Sequence, residues 1–297
     1  MATLDAIPPV VLERFVAPDG LELAVERRGA PDAPVLLFAH GFGQTRQAWR
    51  GAATLLSREG WQCVSFDARG HGDSGRAVGG AYEFEQFTDD LRALAEAQRS
   101  RPVLIGASMG GLLGIAVAGE PHRPAPFSAL ALVDITPRWE PAGVARILTF
   151  MRMYPEGFQN FADAAKAVAN YLPHRSGRKN ESGLRALLHE GPDRRLRWHW
   201  DPSLLDVVER EGPMRQRALL EATRHIRVPT ILLSGTASDV VSEHTVEEFL
   251  ALLPGAVHIR VTGATHTLVG DANDAFVSAL GGFLRGLFTM KSGARET

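Results

Sequence analysis

Residues 104–111, "LIGASMGG", place one serine, Ser108, between a glycine two positions before it and glycines two and three positions after it. The stretch ends an apolar run, 102–107, and opens a segment of helical composition, 109–118. Where a strand turns sharply into a helix the two elements almost touch, so the neighbouring positions have no room for side chains. The pattern predicts a tight strand-to-helix turn that lifts the Ser108 hydroxyl above the C-terminal edge of a sheet.

Apolar runs rich in Val, Ile and Leu recur along the rest of the chain. Such runs are typical of parallel strands buried on both faces, and here they are 34–40, 62–67, 102–107, 130–135, 229–235 and 257–263. Residues 10–17 and 21–29 precede them and predict a hairpin. Helix-length segments separate most of the runs: 46–59, 84–99, 109–118, 242–253 and 272–287. Strands alternating with helices imply an α/β fold built from βαβ units.

One interval, between Ile135 and Val228, interrupts this alternation. It contains no convincing strand, and four of its segments look helical: 141–154, 161–172, 183–190 and 214–225. Because a structureless loop of that length is implausible in a compact domain, we expect a helical cap over residues 137–227 and a core domain from 1–136 and 228–297. The interval holds 16 of the 32 Lys and Arg but 11 of the 34 Asp and Glu, so it is near +5 and the remainder near −7.

The bulk composition narrows the classes of function. Hydrophobic content of 45% and charged content of 22% are ordinary for a globular protein, and the net charge of −2 argues against a general nucleic-acid binder. No apolar run approaches the roughly 20 residues that span a bilayer, which argues against a membrane protein. Residues 1–15 lack the basic n-region and the apolar h-region of a signal peptide. The chain has a single cysteine, Cys63, so no internal disulfide is expected. We therefore expect a cytoplasmic protein; the oligomeric state stays open.

A serine hydroxyl needs a base to become a nucleophile, and the sequence offers one in a suitable place. His266 comes just after the last predicted strand, at the sheet edge where Ser108 is expected. Two aspartates also follow predicted strands and could support this histidine: Asp239 after the preceding strand and Asp134 after the strand before the interval. The order Ser108, Asp239, His266 is that of a known catalytic triad, and we favour Asp239. Asp134 lies where the chain leaves the sheet, which fits a structural role.

Acyl transfer also requires hydrogen-bond donors for a negatively charged oxygen, and the loop 38–45, "FAHGFGQT", is expected to supply one of them. Its glycines let the backbone approach a ligand closely, and the Phe42 N–H is expected to form an oxyanion hole with the Met109 N–H at the start of the following helix. His40 is expected to hold this loop in place rather than to act as a base.

Taken together, five motifs resemble those of the α/β-hydrolase family in order and approximate spacing. They are "HGFGQT" (40–45), "DARGHGDSG" (67–75), "GASMGG" (106–111), "SDVVS" (238–242) and "GATH" (263–266). The resemblance implies a mostly parallel eight-stranded sheet flanked by helices, with a helical cap inserted after the sixth strand. It also implies Ser108 as nucleophile, His266 as base, Phe42 and Met109 as oxyanion-hole residues, and Asp239 as acid, since the acid commonly follows the seventh strand. In "DARGHGDSG" four residues are expected to be structural: Asp67, Arg69, His71 and Asp73.

The resemblance implies a serine hydrolase that cleaves a small to medium carboxylic ester through an acyl-enzyme, with a small-molecule ester as its partner and no metal or cofactor. Epoxide hydrolases and haloalkane dehalogenases of this architecture use an aspartate nucleophile, which Ser108 disfavours. A lactonase, a carbon–carbon bond hydrolase and a cofactor-free perhydrolase remain alternatives within the class. A non-catalytic binding module on the same scaffold is the alternative outside it.

The aromatic and basic residues of the interval suggest what the cap contacts. Five of its side chains are candidates for an apolar substrate pocket: Trp139, Phe150, Met151, Tyr154 and Trp200. Residues 194–202, "RRLRWHWDP", form the densest charged and aromatic stretch. We favour a solvated basic face for this stretch over a contact with an anionic substrate.

Overall fold

The computed structural model describes residues 10–171, 181–266 and 273–293. Outside these ranges lie residues 1–9, which belong to the segment without signal-peptide features, residue 172, the last of one predicted helix, and residue 272, the first of another. Within them the main element is an eight-stranded sheet of order β1-β2-β4-β3-β5-β6-β9-β10. Its strands are β1 Val10–Val16, β2 Glu22–Arg28, β3 Val35–Ala39, β4 Gln62–Phe66, β5 Val103–Ala107, β6 Ala129–Val133, β9 Thr230–Gly235 and β10 Val257–Val261.

Strand direction follows the sequence pattern. β2 pairs antiparallel with β1 and with β4, while all pairs from β4 to β10 are parallel. Every residue of the central strands β3, β4, β5, β6 and β9 is buried, which is why these segments are continuous apolar runs. The edge strand β1 is largely exposed, and the opposite edge strand β10 is partly exposed. The predicted mostly parallel eight-stranded sheet is confirmed.

Helices cover both faces of the sheet. They are α1 Arg50–Arg58, preceded by a 3-10 turn at Arg46–Trp49, α2 Phe84–Glu96, α3 Met109–Ala118, α8 Glu243–Leu252 and α9 Asn273–Gly293. Alternate residues of β3 serve the two faces: Leu36 and Phe38 pack with α1 and α9, whereas Leu37 packs with α2, α3 and α8. The predicted helices agree with these bounds to within a few residues, except at the C-terminal end of α9.

The segment between β6 and β9, called the insert below, contains α4 Pro141–Arg152, α5 Phe161–Tyr171, α6 Glu181–Arg185 and α7 Ser203–His225. It also contains a hairpin of β7 Leu188–Glu190 and β8 Leu196–Trp198, so the expectation of helices alone was wrong. Strands of three residues are too short to show an alternating pattern. α7 continues N-terminally through Gly212 and Pro213 to Ser203, so it is longer than the predicted segment 214–225. The division into a core and a separate cap domain of residues 137–227 stays a prediction.

Of the helices in the described ranges, none combines the length and the apolar character that crossing a bilayer requires.

Candidate active site

Ser108 stands between β5 and α3 in a strained backbone conformation. Its φ of 47° and ψ of −115° lie outside the regions that a residue with a side chain prefers. The flanking glycines make the turn sterically feasible. A Cβ on Gly106 would lie 2.5 Å from the Gly110 carbonyl oxygen, and a Cβ on Gly110 would lie 2.3 Å from that of Ala39. The predicted strand-to-helix turn around the serine is therefore present.

Three side chains form a continuous chain of polar contacts at this edge of the sheet. The Nε2 atom of His266 lies 3.2 Å from Ser108 Oγ, and its Nδ1 atom lies 2.9 Å from Asp134 Oδ2. The carboxylate of Asp134 is fully buried. A carboxylate beside Nδ1 favours the tautomer that carries its hydrogen there, which leaves the Nε2 lone pair facing the serine hydroxyl.

The Asp134 carboxylate is held by the turn that follows the neighbouring strand β9. Its Oδ1 accepts a hydrogen bond from the Gly235 N–H at 2.7 Å, and its Oδ2 accepts one from the Ser238 hydroxyl at 2.6 Å. Ser238 Oγ in turn accepts from the N–H groups of Val240 and Val241. The sequence analysis did not assign Ser238 a role, although it stands in the "SDVVS" motif.

Asp239 is not the partner of His266, and the sequence prediction on this point was wrong. Its carboxylate, about one-third exposed, pairs with the Arg146 guanidinium of α4, with the Nε atom at 2.8 Å. The turn after β9 directs Ser238 toward Asp134 and the next side chain toward the insert. Gly143 permits this close approach of α4, because a Cβ there would lie 2.2 Å from the Asp239 carbonyl oxygen.

The two expected oxyanion donors lie beside the serine. Within the described part of the chain, the N–H groups of Phe42 and Met109 donate to no other protein atom. The Phe42 loop lies close to the serine, because a Cβ on Gly41 would lie 3.2 Å from Ser108 Cβ. The Gly41 N–H itself donates to the side-chain oxygen of Gln44 at 3.2 Å. These two free donors, one in the loop after β3 and one at the start of α3, are suited to a developing oxyanion.

His40 holds the oxyanion loop, in agreement with its expected structural role. Its Nδ1 donates to the Gly41 carbonyl at 2.8 Å and its Nε2 accepts from the Ala68 N–H at 2.9 Å. Burial lowers the pKa of His40, so the ring is neutral as this bonding requires. His71 similarly accepts from the Gly43 N–H through Nε2 and contacts the Arg69 carbonyl through Nδ1.

The other three residues of "DARGHGDSG" that were expected to be structural form ion pairs, and two of them are buried, in agreement with a structural role. Asp67 is fully buried and bonds the Arg46 backbone N–H and guanidinium, while Asp73 binds the same guanidinium at 2.7 Å. Arg69 makes a two-pronged contact with Asp90, with distances of 2.6 and 2.7 Å.

A largely apolar cavity of about 520 Å³ opens above Ser108 and His266, and both line it. Of the predicted pocket residues, Trp139, Phe150, Met151 and Trp200 line the cavity. Further apolar wall residues come from α4, α5, β8 and α7 and were not among the five candidates: they include Ile147, Leu148, Val168, Tyr171, Trp198 and Val207.

Tyr154 does not belong to this wall, and its assignment to the pocket was wrong. Its ring packs against Phe158 with a centroid distance of 4.7 Å and meets Phe150 edge-on from behind the cavity. Tyr154 follows the end of α4, where the chain turns away, so the helical spacing that places Phe150 in the cavity does not extend to it.

Among the residues that the structure describes, no group of three or more His, Cys, Asp or Glu side chains could hold a metal ion.

Comparison with known proteins places this arrangement in a family. A family model described as the alpha/beta hydrolase fold matches residues 34–272. The 3-hydroxybutyrate-oligomer hydrolase of Cupriavidus necator is 27% identical over 264 residues, which cover 84% of this chain and 88% of the relative. Epoxide hydrolase A of Mycobacterium tuberculosis is 26% identical, covering 93% and 98%.

The solved structure of E-2-(acetamidomethylene)succinate hydrolase matches with a TM-score of 0.81 at 20% identity, covering 93% of this chain and all of that one. At this identity the likeness concerns the fold alone. The family model matches most of the chain, and the sheet order, the serine turn and the helices on both faces agree with it. The chain belongs to the α/β-hydrolase family.

Proposed function

We propose that this hydrolase is a serine esterase that cleaves carboxylic esters of an apolar acyl group through an acyl-enzyme. The observation that carries the proposal is the contact chain from Ser108 Oγ to His266 Nε2, 3.2 Å, and from His266 Nδ1 to Asp134 Oδ2, 2.9 Å. In this proposal Asp134 takes the role that the sequence analysis gave to Asp239.

The reaction follows from the proton positions. Ser108 Oγ attacks the ester carbonyl carbon while His266 Nε2 accepts the hydroxyl proton, and the N–H groups of Phe42 and Met109 donate to the resulting oxyanion. Collapse of this intermediate breaks the bond to the alcohol oxygen, which takes the proton from Nε2. A water molecule then gives a proton to Nε2 and attacks the acyl carbon, and the bond from that carbon to Ser108 Oγ breaks as Oγ takes the proton back from Nε2, which releases the acid and restores the serine. Asp134 orients the ring and stabilises the imidazolium formed in each half-reaction.

The cavity supports an apolar acyl group. Its wall is built from aromatic and aliphatic side chains of α4, α5 and α7, and a volume of about 520 Å³ accommodates a small to medium substrate. Both relatives named above are called hydrolases. One of them is an epoxide hydrolase, but we do not propose epoxide hydrolysis for this chain, because Ser108 stands where epoxide hydrolases of this architecture carry an aspartate.

Replacing the nucleophile tests this proposal. Ser108→Ala should lower ester turnover by about 10⁴-fold or more in a folded protein and abolish labelling by a fluorophosphonate probe. The matched variant Ser100→Ala, at an exposed serine outside the cavity, should keep both. Labelling of wild type without turnover of esters would favour the lactonase or carbon–carbon bond alternatives. Absence of labelling in wild type would contradict the serine mechanism and favour a binding module.

A further inference from the structure

A second cavity lies beside the first and differs from it in chemistry. It also measures about 520 Å³ and is called the basic cleft below; its basic side chains are Arg46, Arg50, Arg76, Arg185, His189 and His199. The two cavities adjoin, because Thr45, Gln47 and Ala186 line both. The boundary lies at the polar end of the apolar cavity. This end is lined by the loop that carries Phe42 and by the residues that follow it, from Gln44 to Gln47.

The cleft has more positive charge than its own carboxylates neutralise. Four arginines and two aspartates, Asp67 and Asp73, line it. Both aspartates bind the Arg46 guanidinium. Within the described ranges, Arg50 and Arg76 form no ion pair, although both are exposed at the cleft. These two guanidinium groups are therefore free to bind an anion.

The helix that begins beside the cleft adds to this surplus. Arg50 is the first residue of α1, Arg46 belongs to the 3-10 turn before it, and neither element has an acidic side chain in its first turn. The N-terminal end of a helix has a partial positive charge, so cations there are unfavourable unless an anion is close. This arrangement again favours an anionic ligand at the position where Arg50 faces the cleft.

Buried donors without an acceptor also border the cleft. His199 accepts the Gly72 N–H through Nδ1 at 3.0 Å, so its hydrogen is on Nε2. Among the described residues that line the cleft, three buried side-chain atoms have no hydrogen-bond partner: two donors, this Nε2–H and the Nε–H of Arg46, and one acceptor, Gln47 Oε1. Burial lowers the pKa of His199 to about 3, which keeps the ring neutral. The cleft thus has an excess of donors over acceptors, which anionic oxygens would correct.

The basic stretch that the sequence analysis singled out, residues 194–202, contributes little to this site. Arg195 donates to the carbonyls of Glu156 and Gly157, and Arg197 forms a two-pronged pair with Asp193. From this stretch only His199 lines the cleft, and the insert's guanidinium there comes from Arg185.

We propose that the basic cleft binds a carboxylate or phosphate on the leaving-group side of the substrate whose acyl group occupies the apolar cavity. The inference rests on the proposed esterase function. The acyl group and the alcohol diverge from the carbonyl carbon at Ser108. Because the apolar walls of the insert suit the acyl group, the alcohol is directed along Gln44 and Gln47 to the cleft. The enzyme therefore hydrolyses esters of anionic alcohols in preference to esters of neutral ones.

Three matched butanoyl esters test this preference: those of hexanol, 6-hydroxyhexanoate and 6-hydroxyhexyl phosphate, with shorter and longer spacers in each series. We expect kcat/KM for at least one anionic series to exceed that of the neutral series by about tenfold, through KM. The series that gains identifies carboxylate or phosphate as the ligand. Raising the ionic strength to about 0.5 M should reduce the preference.

Variants assign the effect to the cleft. The double substitution Arg50→Gln/Arg76→Gln should remove most of the anion preference and leave kcat for the hexanol ester unchanged. Arg58→Gln removes the same charge from an exposed position of α1 outside both cavities and should leave the preference intact. Equal kcat/KM for all three esters in wild type, or an undiminished preference in the double variant, would overturn the proposal.

A binding measurement separates this inference from the esterase proposal. Calorimetric titration of the Ser108→Ala variant with 6-hydroxyhexyl phosphate and 6-hydroxyhexanoate reports on the cleft without turnover. Binding that is weakened by Arg50→Gln/Arg76→Gln supports the site even if no ester is hydrolysed. A preference for a carboxylate carried on the acyl chain, as in hexyl succinate over hexyl butanoate, would contradict the assignment to the leaving group.

Discussion

Two residues with unfavourable backbone conformations meet at the candidate site. Ser108 and Asp134 have φ values of 47° and 50°, although both carry side chains. Each such conformation costs on the order of 1–3 kcal/mol and persists only where the surrounding structure enforces it. They follow the adjacent strands β5 and β6, and both side chains contact His266. The strain therefore directs the hydroxyl and the carboxylate to one imidazole.

At this scale the decisive prediction compares two aspartates. Asp134→Asn should lower kcat by about 10⁴-fold, because the ring loses the carboxylate that fixes its tautomer and stabilises its charge. Asp239→Asn should leave kcat within about threefold of wild type, since it removes only the partly exposed ion pair with Arg146. The measurement is kcat per active folded enzyme, with folding checked by circular dichroism. If Asp239→Asn lost most of its kcat while Asp134→Asn kept it, Asp239 would be the triad acid, as the sequence analysis predicted.

Close packing of α3 against the strands depends on glycine. Gly110, in the first turn of α3, faces the end of β3, where an added Cβ would lie 2.3 Å from the Ala39 carbonyl oxygen. Gly282 also lies in a helix, α9, but a Cβ there meets no atom within 4 Å. The two positions thus offer a matched test of packing against helix propensity.

We expect Gly110→Ala to lower the free energy of unfolding by about 2–4 kcal/mol, because backbone must move to admit the methyl group. Gly282→Ala should raise it by about 0.5–1 kcal/mol, since alanine is the better helix former and has room. Urea denaturation of both variants measures the two changes. If Gly110→Ala were as stable as wild type, the close contact between α3 and β3 would not exist in solution.

The elements that sequence analysis predicted correctly are those with a strong local signal. The central strands are buried on both faces and therefore appear in the sequence as continuous apolar runs. The tight turn at Ser108 appears as glycines on both sides of the serine. The hairpin of β7 and β8 has three residues a strand and gives no such signal. The acid was missed for another reason: Asp134 and Asp239 both follow strands that end at the same edge, and sequence does not reveal which turn points its side chain inward.

At the scale of the whole molecule, the insert is joined to the core by hydrogen bonds around the turn that follows β4. The Gly72 N–H donates to His199 Nδ1, the Asp201 N–H donates to the Gly70 carbonyl at 2.8 Å, and the Tyr82 hydroxyl donates to the Asp201 carboxylate at 2.9 Å. These bonds hold the wall formed by the insert over the candidate active site. One of them uses a buried neutral histidine, which makes the joint sensitive to acid.

Burial also lowers the pKa of the two histidines on the core side of this joint, His40 and His71. The two rings lie 5.1 Å apart. His40 itself contributes to the low pKa of His71, because a charge on one would repel a charge on the other. None of the three histidines can take up a proton without cost while the protein is folded, so acid should favour the unfolded chain.

The contribution of His199 can be isolated by substitution. Burial, with the proximity of His40 as the second cause, lowers the pKa of His199 from an ordinary 6.5 to about 3. Above about pH 6.5 the ring is neutral in both states, and its contribution to stability is complete. As the pH falls toward 3 the unfolded state binds a proton that the folded state does not, so stability declines by up to about 1.4 kcal/mol for each pH unit.

His199→Asn replaces the acceptor Nδ1 by an amide oxygen and removes the titrating group. We therefore expect the free energy of unfolding to fall between pH 7 and pH 5 by about 1–2 kcal/mol less in this variant than in wild type, whatever the stability of the variant at pH 7. Urea titrations at four or more pH values measure the two slopes, and His122→Asn, at an exposed position, is the control. Parallel pH profiles for wild type and His199→Asn would mean that His199 titrates equally in both states, and that the joint between insert and core opens to water.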